Sequence, residues 1–271
     1  MAINMREQDN RIFKEPPEIN LYRLAFGYII QRLKWDLHPE SCRSRRKLRG
    51  WKDKHFGDKA VIVCNGPSLL KTDFLLLKDI FTFGLNKINL LFEKTTFRPS
   101  CIVAVNPLVI EQNSEFYNQT SIPLFLNSSS IRFVERRDNI IFLHDTNVKR
   151  FARDCSLSIY QGYTVTFVAM QLAFHMGFRH IALIGCDHNY ATKGPANKTV
   201  VSGEKDENHF DPNYFSRGMK WHLPDIFESE VSYNLARDVF QAYGGNIFNA
   251  TEGGNLEIFP RIHLEEFLEK K

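Results

Sequence analysis

The chain has 271 residues, of which 43% are hydrophobic and 24% charged, with a formal net charge of +4. That is enough apolar material for the core of one large or two modest domains, which excludes disorder as the main state. The mild basicity admits an anionic ligand or surface but falls short of a nucleic-acid-binding signature, so no nucleic-acid partner is expected.

Residues 1–20 are rich in charge and reach Pro16 and Pro17, which reads as a loosely ordered arm. They lack the apolar stretch of a secretory signal, and no later run approaches the ~18 apolar residues of a membrane span. Five cysteines, Cys42, Cys64, Cys101, Cys155 and Cys186, are scattered singly, without zinc or redox spacing. The expectation is a cytoplasmic protein with reduced, mostly buried thiols.

Next, Leu21, Leu24, Ala25, Ile29, Leu33 and Trp35 recur at helical spacing, followed by seven Lys and Arg between Arg43 and Lys54. Two readings fit: an amphipathic helix resting on an anionic membrane face through residues 21–54, or a helix packed on the main domain with a solvated basic face. The first region is taken as 1–57.

From Lys59 onward, short apolar runs alternate with helical patterns, as in stacked βαβ units. Strands are expected at "AVIVCN", "FTFGLN", "CIVAVN", "PLFLN", "NIIFLH", "HIALIGCD" and "GNIFNAT", and helices at 69–79, 107–117, 164–177 and 225–243. The fold class is therefore α/β, a mainly parallel Rossmann-like sheet over 58–271 with helices on both faces, an N-terminal helical extension and a long lid loop at 188–224. The strands end on Asn65, Asn86, Asn106, Asn127, His144, Asp187 and Asn249, which a parallel sheet would gather along one edge, where ligands bind.

"VIVCNGPSL" carries the sharpest signal. Asn65 offers a donor and an acceptor, Gly66 lets backbone approach a ligand, and Ser68 begins a helix near Leu69 whose N–H groups would face an anion. The plain alternative is a strand-to-helix turn capped by Ser68. The loop is neither a Walker P-loop nor the GxGxxG fingerprint. In the segment 188–224, Lys193, Lys198, Tyr190, Tyr214 and Arg217 could contact a leaving phosphate, and "NATEGGNLEIFPRI" returns Asn249, Thr251 and Gly253 to the same edge.

"VIVCNGPSL", "GLNKINLLFE", "VAVNPLVIEQ" and "MGFRHIALIGCDHNY" together resemble the bacterial sialyltransferases of glycosyltransferase family 42. They resemble more closely a bacterial domain family shared with motility accessory factors and archaeal 6-hydroxymethylpterin pyrophosphokinase. The resemblance runs from about residue 58 to 262. It implies donor-site roles for Asn65, Gly66, Ser68, Asn86, Asn106 and Asp187, and for Thr164 and Thr166 near the donor carboxylate and phosphate; Tyr190, from the lid segment, is added to the donor-site candidates. It further implies a histidine general base before the long C-terminal helix, for which two residues compete. His222 has the better spacing and is followed by Asp225 as a helix cap, whereas His209 has the richer polar setting.

On this basis the expected activity is transfer of a sugar, an acidic one, from a CMP-type nucleotide sugar to a glycan or lipid-linked acceptor at the inner face of the membrane, with no cofactor required. The alternative is pyrophosphoryl transfer from ATP to a hydroxymethylpterin, with Mg²⁺ held by Asp187, or less favourably by Asp73, Asp145 or Asp206. A non-catalytic nucleotide- or glycan-binding module is the remaining option.

Overall fold

The structure, a computed structural model, describes residues 20–190, 194–215 and 218–269 and divides into two compact units, Met1–Cys42 and Arg43–Lys271. The arm read over residues 1–20 lies outside the described residues apart from Asn20. In the first unit, helix α1 (Leu21–Asp36) starts where the Asn20 side chain accepts the Arg23 N–H at 3.0 Å, a regular N-cap. Trp35 is its one buried residue. Helix α2 (Pro39–Trp51) runs from the first unit into the second.

The second unit continues through β1 (Lys59–Val63), β2 (Phe81–Leu85), β3 (Cys101–Ala104), α3 (Pro107–Gln112), α4 (Ser114–Gln119), β4 (Leu124–Asn127) and β5 (Ile140–Leu143). It then forms α5 (Val165–Met176), β6 (His180–Ile184), β7 (Thr199–Val201), β8 (Lys220–His222), α6 (Ile226–Ala242), β9 (Asn246–Asn249) and α7 (Leu264–Glu269). Seven strands make one sheet in the order β5-β4-β3-β2-β1-β6-β9, parallel at every pairing. Ile62 of β1 packs with Phe83, Val103, Phe167 and Phe240 in the core, and the alternate residues Val61 and Val63 are equally inaccessible. A sheet covered on both faces has no polar side to show, which is why its strands read as unbroken apolar runs.

Helix α5 is buried along nearly its whole length. Thr164 caps its start, and Gly177, at φ 105°, ends it in the left-handed conformation that glycine adopts without strain. The helix expected over 69–79 is instead two 3₁₀ turns, Pro67–Lys71 and Phe74–Leu77. Each is closed by its own Pro or Asp start and is too short for a helical period to show. The expected 107–117 helix breaks into α3 and α4 at Asn113.

The 188–224 segment is more structured than a loop. β7 and β8 form an antiparallel ribbon with Val200 opposite Trp221, and Phe215 stacks on Trp221. Lys193 and Arg217 lie outside the described residues. Among the described residues, no helix is long and apolar enough to cross a membrane. Cys42 is exposed, the other four cysteines are buried, and all five are free.

Candidate functional site

The chain runs outward from β1 to β5 and then returns to place β6 on the other side of β1. Beyond the ends of β1 and β6 the connections diverge, and such a reversal opens a crevice at the carboxyl edge of an α/β sheet. Asn65 and Gly66 leave β1 at this point, and Asp187 leaves β6.

The three are locked together. The Gly66 N–H donates to the Gly185 carbonyl at 2.8 Å, and the Asp187 carboxylate accepts from the Ser68 hydroxyl at 2.7 Å and from the Ser68 N–H at 3.3 Å. A Cβ on Gly66 would strike that carboxylate, so the loop needs glycine here. This corrects one expectation. The N–H groups that would have faced a bound anion are taken by the protein's own Asp187 and Gly185, because a buried loop must satisfy its donors internally.

The crevice is a cavity of about 660 Å³, within the range of small-molecule sites. It is lined by Asn65, Gly66, Asn86, Asn106, Thr164, Thr166, Asp187, Tyr190, His209 and His222 among the residues singled out from sequence. Ser68 sits behind the wall as the partner of Asp187. Of the other strand-end residues, Asn127, His144 and Asn249 do not reach the cavity. Asn127 caps the turn that follows β4, and Asn249 bonds the Leu256 carbonyl and the Thr251 N–H. Thr251 in turn accepts the Cys186 N–H, so the last strand edge builds the wall rather than the lining. Asp73 caps a 3₁₀ turn away from the cavity.

Asn65 is 8% exposed, and its Oδ1 has no hydrogen-bond partner among the described residues. A buried amide oxygen left so costs about 1–3 kcal/mol, which a ligand donor would recover. Asn106 lines the cavity and accepts the Leu108 N–H through its Oδ1 at 3.0 Å. Thr164 Oγ1 lies 3.4 Å from the Tyr233 hydroxyl. Burial pushes the Tyr190 and Tyr233 phenols well above their ordinary range, so both act as neutral hydrogen-bonding groups.

The histidines differ sharply in setting. His209 Nδ1 lies 2.8 Å from Asp206 Oδ2, and the Asp206 side chain is 3% exposed and also accepts the Asn208 and Phe215 N–H groups. The His209 ring stacks flat on Tyr214 at 3.9 Å. With Nδ1 committed to the carboxylate, Nε2 is the nitrogen left for the cavity. His222, at the exposed end of β8, makes no side-chain hydrogen bond to a described residue.

A third histidine, His188, was not singled out from sequence. Its Nε2 lies 2.9 Å from Glu230 Oε1, and it too lines the cavity. The glutamate is 44% exposed, so that pairing is screened by water where the Asp206 pairing is not.

Lys87 was also missed. It is buried beneath the lid segment, donating to the Tyr214 carbonyl at 2.7 Å and Gln112 Oε1 at 2.9 Å, with its ammonium over the Phe215 ring. Desolvation lowers its pKa to about 8, against an opposing pull from Asp206. The Lys94–Asp211 ion pair and a Phe210 N–H to Asn65 carbonyl bond hold the same segment down.

Asn86, Tyr163, His188 and Asn197 all have positive φ and all line the cavity. Clustered left-handed backbone in non-glycine residues is strain that a folded protein retains where geometry matters.

Among the described residues, no group of three or more His, Cys, Asp or Glu could hold a metal ion. A Mg²⁺ that bridges nucleotide phosphates needs only one or two carboxylates, and Asp187 and Asp145 are on the cavity wall. Asp145 is bonded by Gln161 at 2.8 Å.

Comparison with known proteins adds a family. Residues 39–193 match the model described as 6-hydroxymethylpterin diphosphokinase MptE-like. No curated protein sequence matches the chain. Among solved structures, the MAf glycosyltransferase from Magnetospirillum magneticum AMB-1 is similar over 83% of this chain and 39% of its own length, at 16% identity and a TM-score of 0.48.

Proposed function

The chain belongs to the MptE-like family, and from that premise we propose that it is a transferase moving a group from a nucleotide donor to an acceptor hydroxyl. The observation that carries the reading is the buried Asp206–His209 pair at the cavity wall. Asp206 holds Nδ1 as the protonated nitrogen, so Nε2 accepts the hydroxyl proton as the new bond forms, and the nucleotide departs with the electrons of the bond that breaks. Asn65, Asn86 and Asn106 orient the donor, with Thr164, Thr166 and Tyr190 completing its surroundings, and Asp187 braces the loop that carries Asn65 through its bonds to Ser68. His222, exposed and without an orienting side-chain partner among the described residues, is assigned in this reading to contact the acceptor.

The transferred group proposed is an acidic sugar from a CMP-type donor, passed to a glycan or lipid-linked acceptor. A second reading rests on the family's description: diphosphoryl transfer from ATP to a pterin-like hydroxymethyl group, in which Asp187 and Asp145 would hold a Mg²⁺ ion whose charge would offset that of the nucleotide.

A thermal-shift panel of CMP, CDP, UDP, GDP and ATP, each with and without Mg²⁺, separates the two. A nucleotide at 100 times its Kd adds about 2.7 kcal/mol to the folded state. Stabilisation by CMP without metal supports sugar transfer, stabilisation confined to ATP with Mg²⁺ supports diphosphoryl transfer, and no stabilisation by any of them overturns both.

A further inference from the structure

Helix α1 turns large apolar side chains to water. At about 100° per residue, Tyr22, Phe26, Ile29, Ile30, Leu33 and Leu37 fall on one arc roughly 100° wide. All six are exposed, with Tyr22 at 89%, Phe26 at 64% and Leu37 at 81%. Leu21 and Leu24, exposed on the opposite side of the helix, are scattered cases that need no explanation, but a contiguous stripe of six marks a surface built to be covered.

Charge indicates what covers it. Arg23 and Lys34 border the stripe on one side, and Arg32, paired with Asp36 at 2.8 Å, borders it on the other. A second copy of the chain laid on the stripe would bring these cations against their own kind. A surface of anionic headgroups would neutralise them while the apolar arc enters the acyl boundary and the long cationic stems reach back to the headgroups.

We propose that α1 is an interfacial helix that lies in the plane of an anionic lipid surface. At 16 residues it is too short to span a bilayer, and it binds by its face rather than its length. The inference is independent of the chemistry assigned to the cavity.

The test is sedimentation of the full chain with vesicles of phosphatidylcholine alone and of phosphatidylcholine mixed with phosphatidylserine. Binding is expected to favour the anionic vesicles, by about fivefold for each cation engaged, and to weaken with salt. A Phe26→Ser, Ile29→Ser, Leu33→Ser variant should lose at least tenfold in partitioning with an unchanged melting temperature. An Arg23→Gln, Lys34→Gln variant should keep residual binding but lose most of the preference for phosphatidylserine. No binding to either vesicle overturns the proposal, as does a dimer in sedimentation equilibrium that the triple serine variant dissolves.

Discussion

A histidine becomes a useful base when its second nitrogen is held, and the three cavity histidines are held to different degrees. His209→Ala should lower kcat by about 10²–10⁴ once a donor is found, with a smaller change in KM. Asp206→Asn should act in the same direction, because the amide can favour the wrong tautomer. His188→Ala should cost less, since its glutamate is half in water. An equal loss for His188→Ala and His209→Ala in steady-state kinetics would remove the assignment.

Lys87 offers a test that needs no substrate. Its pKa in the fold is about 8, lowered from 10.5 chiefly by desolvation. Between those values the unfolded chain binds more protons than the folded one, so stability rises with pH across that window and the penalty is fully present below about pH 8. The shift corresponds to at most about 3 kcal/mol. Lys87→Met, followed by chemical denaturation from pH 7 to 10.5, should lose this pH-dependent rise. A parallel pH profile in the variant would show that Lys87 is not the titrating group.

The residues legible in the sequence were those ending strands, because an apolar run that stops on Asn or Asp is a local pattern. Lys87 was not legible, since its bond to the Tyr214 carbonyl joins residues 127 apart in sequence; the Asp206–His209 pair is only three residues apart, but its place at the cavity depends on the lid segment folding back so that the Phe210 N–H reaches the Asn65 carbonyl.

At the level of elements, legibility followed burial. The first six sheet strands were readable because they are largely buried on both faces, α5 by its unbroken apolar length between Thr164 and Gly177, and α6 because its helical period runs for more than three turns. The ribbon β7–β8 was not, because its strands are three residues long and largely exposed, so neither run length nor alternation marks them. What holds this lid is a small buried cluster of its own, Phe210, Tyr214, Phe215 and Trp221, together with a few discrete anchors. Lys94→Met should therefore loosen it locally, since the Lys94–Asp211 pair leaves Asp211 only 9% exposed. Amide exchange at Phe210 and Tyr214 should quicken by about tenfold while exchange in β1 and β6 stays unchanged. Uniform acceleration across the sheet would mean the ion pair supports the whole unit and not the lid.

At the level of the whole molecule, the strand order was beyond a single sequence. Which parallel strands become neighbours is set by how crossover helices pack, and the reversal between β1 and β6 has no local mark. That reversal nonetheless fixes where the cavity lies, and every residue lining it belongs to the unit Arg43–Lys271. The apolar stripe of α1 belongs to the other unit. If cavity and stripe are separate devices, a chain lacking residues 1–42 should keep its nucleotide-induced thermal shift undiminished and lose vesicle binding by at least tenfold. The converse chain, complete but carrying Asn65→Ala, should bind vesicles normally and lose the nucleotide shift, because it removes only the buried amide at the end of β1. Loss of the nucleotide shift on truncation would show that the first unit completes the cavity, and the separation of the two functions would fail with it.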